Sequence, residues 1–196
     1  HEYPLEGVPP MMTHIFENKS GARIIAAKGA PEAILKLCHL TDVQLQEVQA
    51  IIDQLALQGY RILGVATASH TGNDFPAAQQ SFSFALTGLV VFYDPPKPGI
   101  ENVFRKFYAA GIEVKIITGD NPLTTKAIAG NAGIKKSDDP IDGEALMKLN
   151  EEGFGNALRK HSLFTRMFPE AKLAAINGFK KDNQVVAMVG DGVNDG

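Results

Sequence analysis

Two carboxylates and a carboxamide are packed into one short stretch of this chain, Gly190-Asp191-Gly192-Val193-Asn194-Asp195. The stretch follows an apolar run, Val185-Val186-Ala187-Met188-Val189, which reads as a buried parallel strand, and its glycines permit a sharp turn. Ligands of open α/β sheets bind outside the carboxyl ends of strands. Asp191 and Asp195 are therefore candidates to converge on a hard cation such as Mg²⁺, which takes one or two carboxylates together with substrate phosphate. A solvated Asp-Gly turn after an ordinary strand is the other reading of the same residues.

A second junction of this kind is Thr118-Gly119-Asp120-Asn121-Pro122, after the β-prone run Val114-Lys115-Ile116-Ile117. A hydroxyl and backbone donors at the start of a helix make an anion site. Asp120 or Asn121 also suits as a helix cap, a role compatible with phosphate binding. Lys172 lies near the start of the helix that follows Phe168-Pro169, and Arg166 lies just past a strand from Ser162. A lysine there either points to solvent or neutralises a phosphoryl oxygen and holds Asp195. Arg166 carries the same two readings. In the first half of the chain, Lys28-Gly29-Ala30-Pro31-Glu32 is a strand-to-helix junction where glycine allows close backbone approach. Lys28 there, and Arg61 after Gly59-Tyr60, are either cationic contacts to a polar ligand or solvated charges.

The elements that must position these residues fall into two groups. Met11 to Glu17 and Ala22 to Lys28 read as a hairpin around the turn cluster Asn18-Lys19-Ser20-Gly21. Pro31 to Leu37 reads as a short helix with proline at its start. Asp42 is expected to cap a helix from Val43 to Leu57 that presents Val48, Ile51, Ile52 and Leu55 on one face. Arg61 to Ala68 and Ser83 to Phe92 read as strands, so this half is an antiparallel sheet with helices packed on it. Asp94-Pro95-Pro96-Lys97-Pro98-Gly99 continues no regular element and marks a hinge.

After the hinge the rhythm becomes helix (Ile100 to Ala110), strand (Glu113 to Ile117) and helix (Pro122 to Ala132). Ser137 to Gly155 reads as a polar, helix-bearing surface excursion. Strand (Ser162 to Thr165), helix (Glu170 to Lys180) and strand (Gln184 to Val189) complete it. Strands alternating with helices give a doubly wound parallel sheet. The expected domains are 1–92 and 93–196.

Composition narrows the function. Of the 196 residues 44% are hydrophobic and 21% charged, ordinary for a globular protein with a sizeable core. A net charge of −3 argues against nucleic-acid binding, which needs a basic face. One cysteine, Cys38, excludes an internal disulfide, and no Cys/His cluster has zinc-ligand spacing. No apolar stretch approaches the roughly 20 residues that span a bilayer, and no signal peptide is evident. A reducing, cytosolic compartment is expected.

In this order, the segments Lys28-Gly29-Ala30-Pro31-Glu32, Asp94-Pro95-Pro96, Thr118-Gly119-Asp120-Asn121 and Gly190-Asp191-Gly192-Val193-Asn194-Asp195 resemble the cytoplasmic catalytic region of P-type ion-pumping ATPases. The phosphorylation domain of that family has the haloacid-dehalogenase fold, and Arg166 and Lys172 stand at compatible positions. The forms Lys-Gly-Ala-Pro-Glu and Asp-Pro-Pro look most like the calcium-pump and sodium/potassium-pump branch.

The resemblance implies a role for each residue. Asp191 would hold Mg²⁺, and Asn194 and Asp195 would order the phosphate site and Lys172. Thr118 and Gly119 would hold the transferred phosphoryl group, and Asp120 would help position nucleotide and lysine. Lys28, with Gly29, would line the adenine pocket of a nucleotide-binding domain. Arg61 would lie near the ATP phosphates, and Arg166 would contact nucleotide from the other domain. Positioning and charge neutralisation are what phosphoryl transfer requires. ATP and Mg²⁺ are the implied cofactors. The implied setting is the cytoplasmic face of a membrane, with 1–92 part of the nucleotide-binding domain and 93–196 part of the phosphorylation domain.

The departures carry expectations too. The family's Asp-Lys-Thr-Gly-Thr motif, whose aspartate accepts the phosphoryl group, is not in this sequence. A covalent aspartyl-phosphate needs that carboxylate. The chain is therefore expected to be a soluble fragment of a pump, inactive alone, whose partners are membrane helices, an actuator domain and the strand bearing the nucleophile. That strand is central in this fold, so its lack would leave unpaired backbone groups. A separate chain or a second copy would fill the gap, or the second half would pack loosely. Leu5 stands where the family carries an aromatic that stacks on adenine, which removes flat contact area. A soluble haloacid-dehalogenase-type phosphatase and a nucleotide-binding regulatory module that lost its nucleophile are the alternatives.

Overall fold

The computed structural model describes residues 1–72, 74–181 and 184–190. They form two compact units, one of residues 1–56 and 60–93, the other of residues 57–59 and 94 onward.

The first unit is an antiparallel sheet of β1 (Glu2–Glu6), β2 (Met11–Glu17), β3 (Arg23–Gly29), β4 (Arg61–Ala68) and β5 (Phe84–Phe92), in that spatial order. Helices α1 (Pro31–Leu37) and α2 (Asp42–Leu57) are inserted between β3 and β4. Alternation decides which face is covered. Met11, Thr13 and Ile15, then Ile25 and Ala27, then Ile62 and Ala66 point inward, where Ile34 of α1 meets them. Met12, His14 and Lys28 point the other way.

Two glycines are needed by this packing. A β-carbon on Gly29 would lie 2.6 Å from that of Met11, and one on Gly64 would lie 2.9 Å from that of Ile34. The buried hydroxyl of Thr13 donates to Gln79 Oε1 (2.9 Å), whose amide donates to the carbonyls of Pro4 and Met11 (both 3.2 Å). Thr13 and Gln79 thus satisfy each other in the buried interior.

The expected hairpin forms, its turn held by Asn18 Oδ1, which accepts from the N–H groups of Ser20 and Ala22. The expectations for α2 need correction. Asp42 lies inside the helix, and the cap is Thr41. The Thr41 hydroxyl accepts from Gln44 N–H (3.3 Å) while Gln44 Oε1 accepts from Thr41 N–H (3.0 Å), a capping box. The buried residues are Ile52 and Ala56, and Ile51 is half exposed, so the buried line is narrower than the apolar stripe. β1, which sequence reasoning left unassigned, pairs with β2 through an irregular register between Tyr3 and Glu6.

The second unit is a three-stranded parallel sheet of β6 (Ile116–Ile117), β8 (Leu163–Thr165) and β7 (Ile141–Asp142), with β8 in the middle. The helices α3 (Ile100–Ala109), α4 (Pro122–Asn131), α5 (Gly143–Met147), α6 (Glu151–Lys160) and α7 (Pro169–Lys181) cover both faces. Leu163 packs with Ala129, Ile134, Ile100 and Phe104 on one face. Phe164 packs with Leu146, Leu158, Ala171 and Ala175 on the other. This is the mixed α/β, doubly wound class, joined to an antiparallel sheet.

Two expectations fail here. Residues 137–155 are no surface excursion, since they supply the edge strand β7 and the fully buried Leu146. Residues 184–190 form no strand, and Val185 and Val189 are fully exposed. A strand needs a paired neighbour to satisfy its backbone. Among the described residues β6 pairs on one side only, with β8, and 184–190 pairs with nothing. No helix among the described residues is long and apolar enough to cross a membrane.

Candidate functional site

The parallel strands all end at one edge, and the loops beyond them are laced together. Thr118, straight after β6, donates its N–H to the Phe164 carbonyl (2.9 Å) and accepts at its own carbonyl from Met167 N–H (2.9 Å). Two residues further, the Asp120 carbonyl accepts from Arg166 N–H (3.1 Å). The Thr118 hydroxyl accepts from Asp120 N–H (3.1 Å), which closes the loop on itself. Asn121 then caps α4, its Oδ1 accepting from Leu123 N–H (2.8 Å), and Pro122 opens the helix without a donor to waste. Of the two capping candidates, Asn121 does the capping and Asp120 is left half-buried in the loop.

Gly119 is exposed, and among the described residues a β-carbon there would meet only the Met167 carbonyl, at an ordinary 3.7 Å. Packing does not demand a glycine at that position.

Arg166 has φ 48°, in the left-handed region. For a side-chain-bearing residue this costs about 1–2 kcal/mol and persists only where the surroundings over-determine it. The lacing to Asp120 and Thr118 does so from one side. From the other, Gly143 brings the start of α5 so close that a β-carbon on it would lie 2.8 Å from the Arg166 carbonyl oxygen. The arginine Nε stands 4.0 Å from Asp142 Oδ2, and Asp142 Oδ1 accepts from Glu144 N–H (2.9 Å) to cap α5. The buried Thr165 hydroxyl adds a bond to the Ile141 carbonyl (3.3 Å).

The structure thus brings Thr118, Gly119, Asp120 and Arg166 into one loop cluster. Lys172 lies on the first turn of α7, half-buried, its N–H donating to the Phe168 carbonyl (3.0 Å). Asp191, Asn194 and Asp195 lie outside the described residues. Among the described residues no three His, Cys, Asp or Glu side chains gather as a cation site.

Asp142 and Gly143 escaped sequence reasoning. The available signal was Ile141-Asp142-Gly143, an Asp-Gly turn after a β-prone residue.

Of the residues expected in the first unit, Lys28 is exposed, opposite Met12 and Val65, on the face that α1 leaves open. Gly29 is buried and has the packing role given above. Arg61 opens β4 opposite Phe92, and by alternation it shares the outer face with Val65 and Lys28. Arg61 and Val65 are four steps apart along the strand, roughly 13 Å. Leu5 is exposed in β1.

Two other features are set apart from this chemistry. Burial pushes the Cys38 thiol up, which disfavours its thiolate and makes it a poor nucleophile. A shallow cavity of about 650 Å³ lined by Ile141, Leu149, Ala157, Arg159 and His161 lies toward the amino end of β8, away from the laced loops.

Comparison with other proteins reports on both halves. Residues 77–196 match the haloacid dehalogenase-like hydrolase family, and residues 6–99 match the P-type ATPase cytoplasmic domain N. The chain is 31% identical over 206 residues to a calcium-transporting ATPase of Bacillus subtilis, covering 99% of this chain and 23% of that protein. It is 34% identical over 175 residues to a cation-transporting ATPase of Methanocaldococcus jannaschii (86% of this chain, 20% of that protein). It is 28% identical over 206 residues to a P-type magnesium-transporting ATPase of Escherichia coli (99% and 23%). The chain spans about a fifth to a quarter of the length of these curated relatives.

Proposed function

The chain belongs to the haloacid dehalogenase-like hydrolases, as a cytoplasmic region of the P-type cation-transporting ATPases, and on that basis we propose that it serves ATP-driven cation transport through an aspartyl-phosphate. The observation that carries the reading is the laced cluster at the carboxyl edge of the parallel sheet, where Asp120 and Arg166 share a backbone hydrogen bond. Ligands of such sheets bind there.

In this reading residues 93–196 belong to the phosphorylation domain. Thr118 and Gly119 hold the phosphoryl group, and the absence of close packing on Gly119 among the described residues supports an approach of ligand to its backbone. Asp120 positions nucleotide and Lys172, and Arg166 contacts nucleotide. Asn194 and Asp195 order the phosphate site. Asp191 holds Mg²⁺, which when bound neutralises phosphate charge. Residues 1–92 belong to the nucleotide-binding domain, where Lys28 and Arg61 share the open face of the antiparallel sheet and meet adenine and phosphates.

Calcium is the leading ion, since the Bacillus relative is named for it, although the Escherichia relative is named for magnesium. The working place is the cytoplasmic face of a membrane, with membrane helices and an actuator domain as partners. The exposed Val185 and Val189 and the one-sided pairing of β6 support a further partner, a strand carrying the nucleophilic aspartate or a second copy of this chain.

The sequence itself holds no Asp-Lys-Thr-Gly-Thr, so this chain alone does not phosphorylate itself, and with Leu5 in place of a stacking aromatic it binds nucleotide at most weakly. Incubation with labelled ATP tests this. No incorporation is expected, and an acid-stable, hydroxylamine-sensitive phosphoprotein would overturn it.

A further inference from the structure

We propose that Asp142 is a positioning residue that aims the Arg166 guanidinium at the anionic ligand of the Thr118–Asp120 loop. The proposal rests on the reading of that loop cluster as a phosphate site and adds a residue to which neither motif nor family likeness gave a role.

Arg166 is held twice. Its N–H is held by the Asp120 carbonyl, the next N–H, of Met167, is held by the Thr118 carbonyl, and Gly143 approaches its carbonyl closely. A locked backbone sets where the side chain starts, not where it ends, because arginine keeps several rotatable bonds. The end is constrained by Asp142, whose two oxygens divide the work. Oδ1 accepts from Glu144 N–H (2.9 Å) and fixes the carboxylate rotamer. Oδ2, so fixed, lies 4.0 Å from Arg166 Nε. Both side chains are about a third exposed, so the attraction is screened but persists. β7 and β8 pair in parallel with Asp142 opposite Thr165, which places the carboxylate beside the residue that precedes Arg166. A carboxylate near an anion site would by charge alone weaken anion binding. A cap by itself needs no negative charge. The arrangement is explained by a salt link that orders the arginine.

The two oxygens make the test clean. Asp142→Asn keeps a capping oxygen, since asparagine caps as well as aspartate, and removes the charge that faces Arg166. In nitrogen-15 spectra of the chain, the Arg166 Nε–H signal is expected to be ordered and slow to exchange in the wild type. In Asp142→Asn it becomes mobile, with the Glu144 amide and the melting temperature unchanged. Titration with ATP is expected to show binding weakened about three- to five-fold by Asp142→Asn, and no further loss when the change is added to Arg166→Gln. An Arg166 Nε–H indifferent to the substitution overturns the proposal, and so does ATP binding that is unchanged or tightened. A wild-type chain that binds no ATP overturns the phosphate-site reading instead, and the Nε–H signal alone then decides whether Asp142 orders Arg166.

Discussion

The carbonyl oxygen of Arg166 lies 2.8 Å from the point where a β-carbon on Gly143 would sit, so the start of α5 and the loop after β8 fit only because residue 143 has no side chain. Met167 crowds the same point, with its sulfur at 3.2 Å and its Cα at 3.3 Å. Gly143→Ala must push backbone against backbone, and the expected loss is about 1–3 kcal/mol, as for other overpacked sites. Gly119→Ala, whose added carbon finds only a 3.7 Å contact, is expected to change stability by less than about 0.5 kcal/mol. Urea denaturation of the two variants reads the difference. Equal effects would show that the two loops are not packed as described.

This contrast also marks what a sequence can disclose. β-prone composition and a turn cluster were enough to read Met11–Glu17 and Arg61–Ala68 as strands, and in the fold their residues alternate between a buried and a wetter face. The parallel strands are two or three residues long, so Ile141–Asp142 has no period to show. The run from Val185 to Val189 has the composition of a buried strand, but whether such a run is buried depends on a neighbour that local sequence cannot supply. At the site, Thr118-Gly119-Asp120 was legible as a turn between an apolar run and a proline-led helix. The meeting of Asp120 with Arg166 was not, because residues far apart in the chain are joined there by backbone atoms common to every residue.

The capping box at α2 separates two adjacent residues that look alike in sequence. Thr41→Ala removes the acceptor for Gln44 N–H and frees the glutamine that caps Thr41, so a loss of about 1 kcal/mol is expected. Asp42→Ala removes only a favourable charge in the first turn, with an expected cost of a few tenths of a kcal/mol. Urea midpoints of the two variants decide between them. A larger effect at Asp42 would restore it as the cap.

Asp139 gives the second unit an acid-sensitive link. Its carboxyl is held below its usual value first by the hydrogen bond from Lys160 (2.8 Å), with His161 and the lysine charge adding to it. A depressed folded value means that the link is fully present above the unfolded value and is lost as pH falls below about 4. His161 Nδ1 also meets the Asp139 carbonyl oxygen at 2.7 Å, so the link ties the 135–140 loop to the end of α6. Asp139→Asn is expected to lower neutral stability slightly, since the pair is mostly exposed, and to flatten the acid limb of the stability–pH curve by that same small amount. An unaltered acid limb would mean that the link contributes nothing.

The open side of β6 and the exposed run after α7 lead to the last prediction. β8 is wholly buried and paired on both sides, so its amides at 163–165 need extensive opening before they exchange. Residues 184–190 make no ladder, and Val185 and Val189 are fully exposed. In a strict monomer the amides of 184–190 are expected to exchange at nearly unfolded rates while those of 163–165 are strongly protected. An apolar run left in solvent also favours association, so protection at 185–189 is expected to rise with protein concentration, and Val185→Lys is expected to abolish that rise. Strong protection of 185–189 at concentrations where the chain is monomeric would mean that the chain closes its own sheet and has no need of a partner strand.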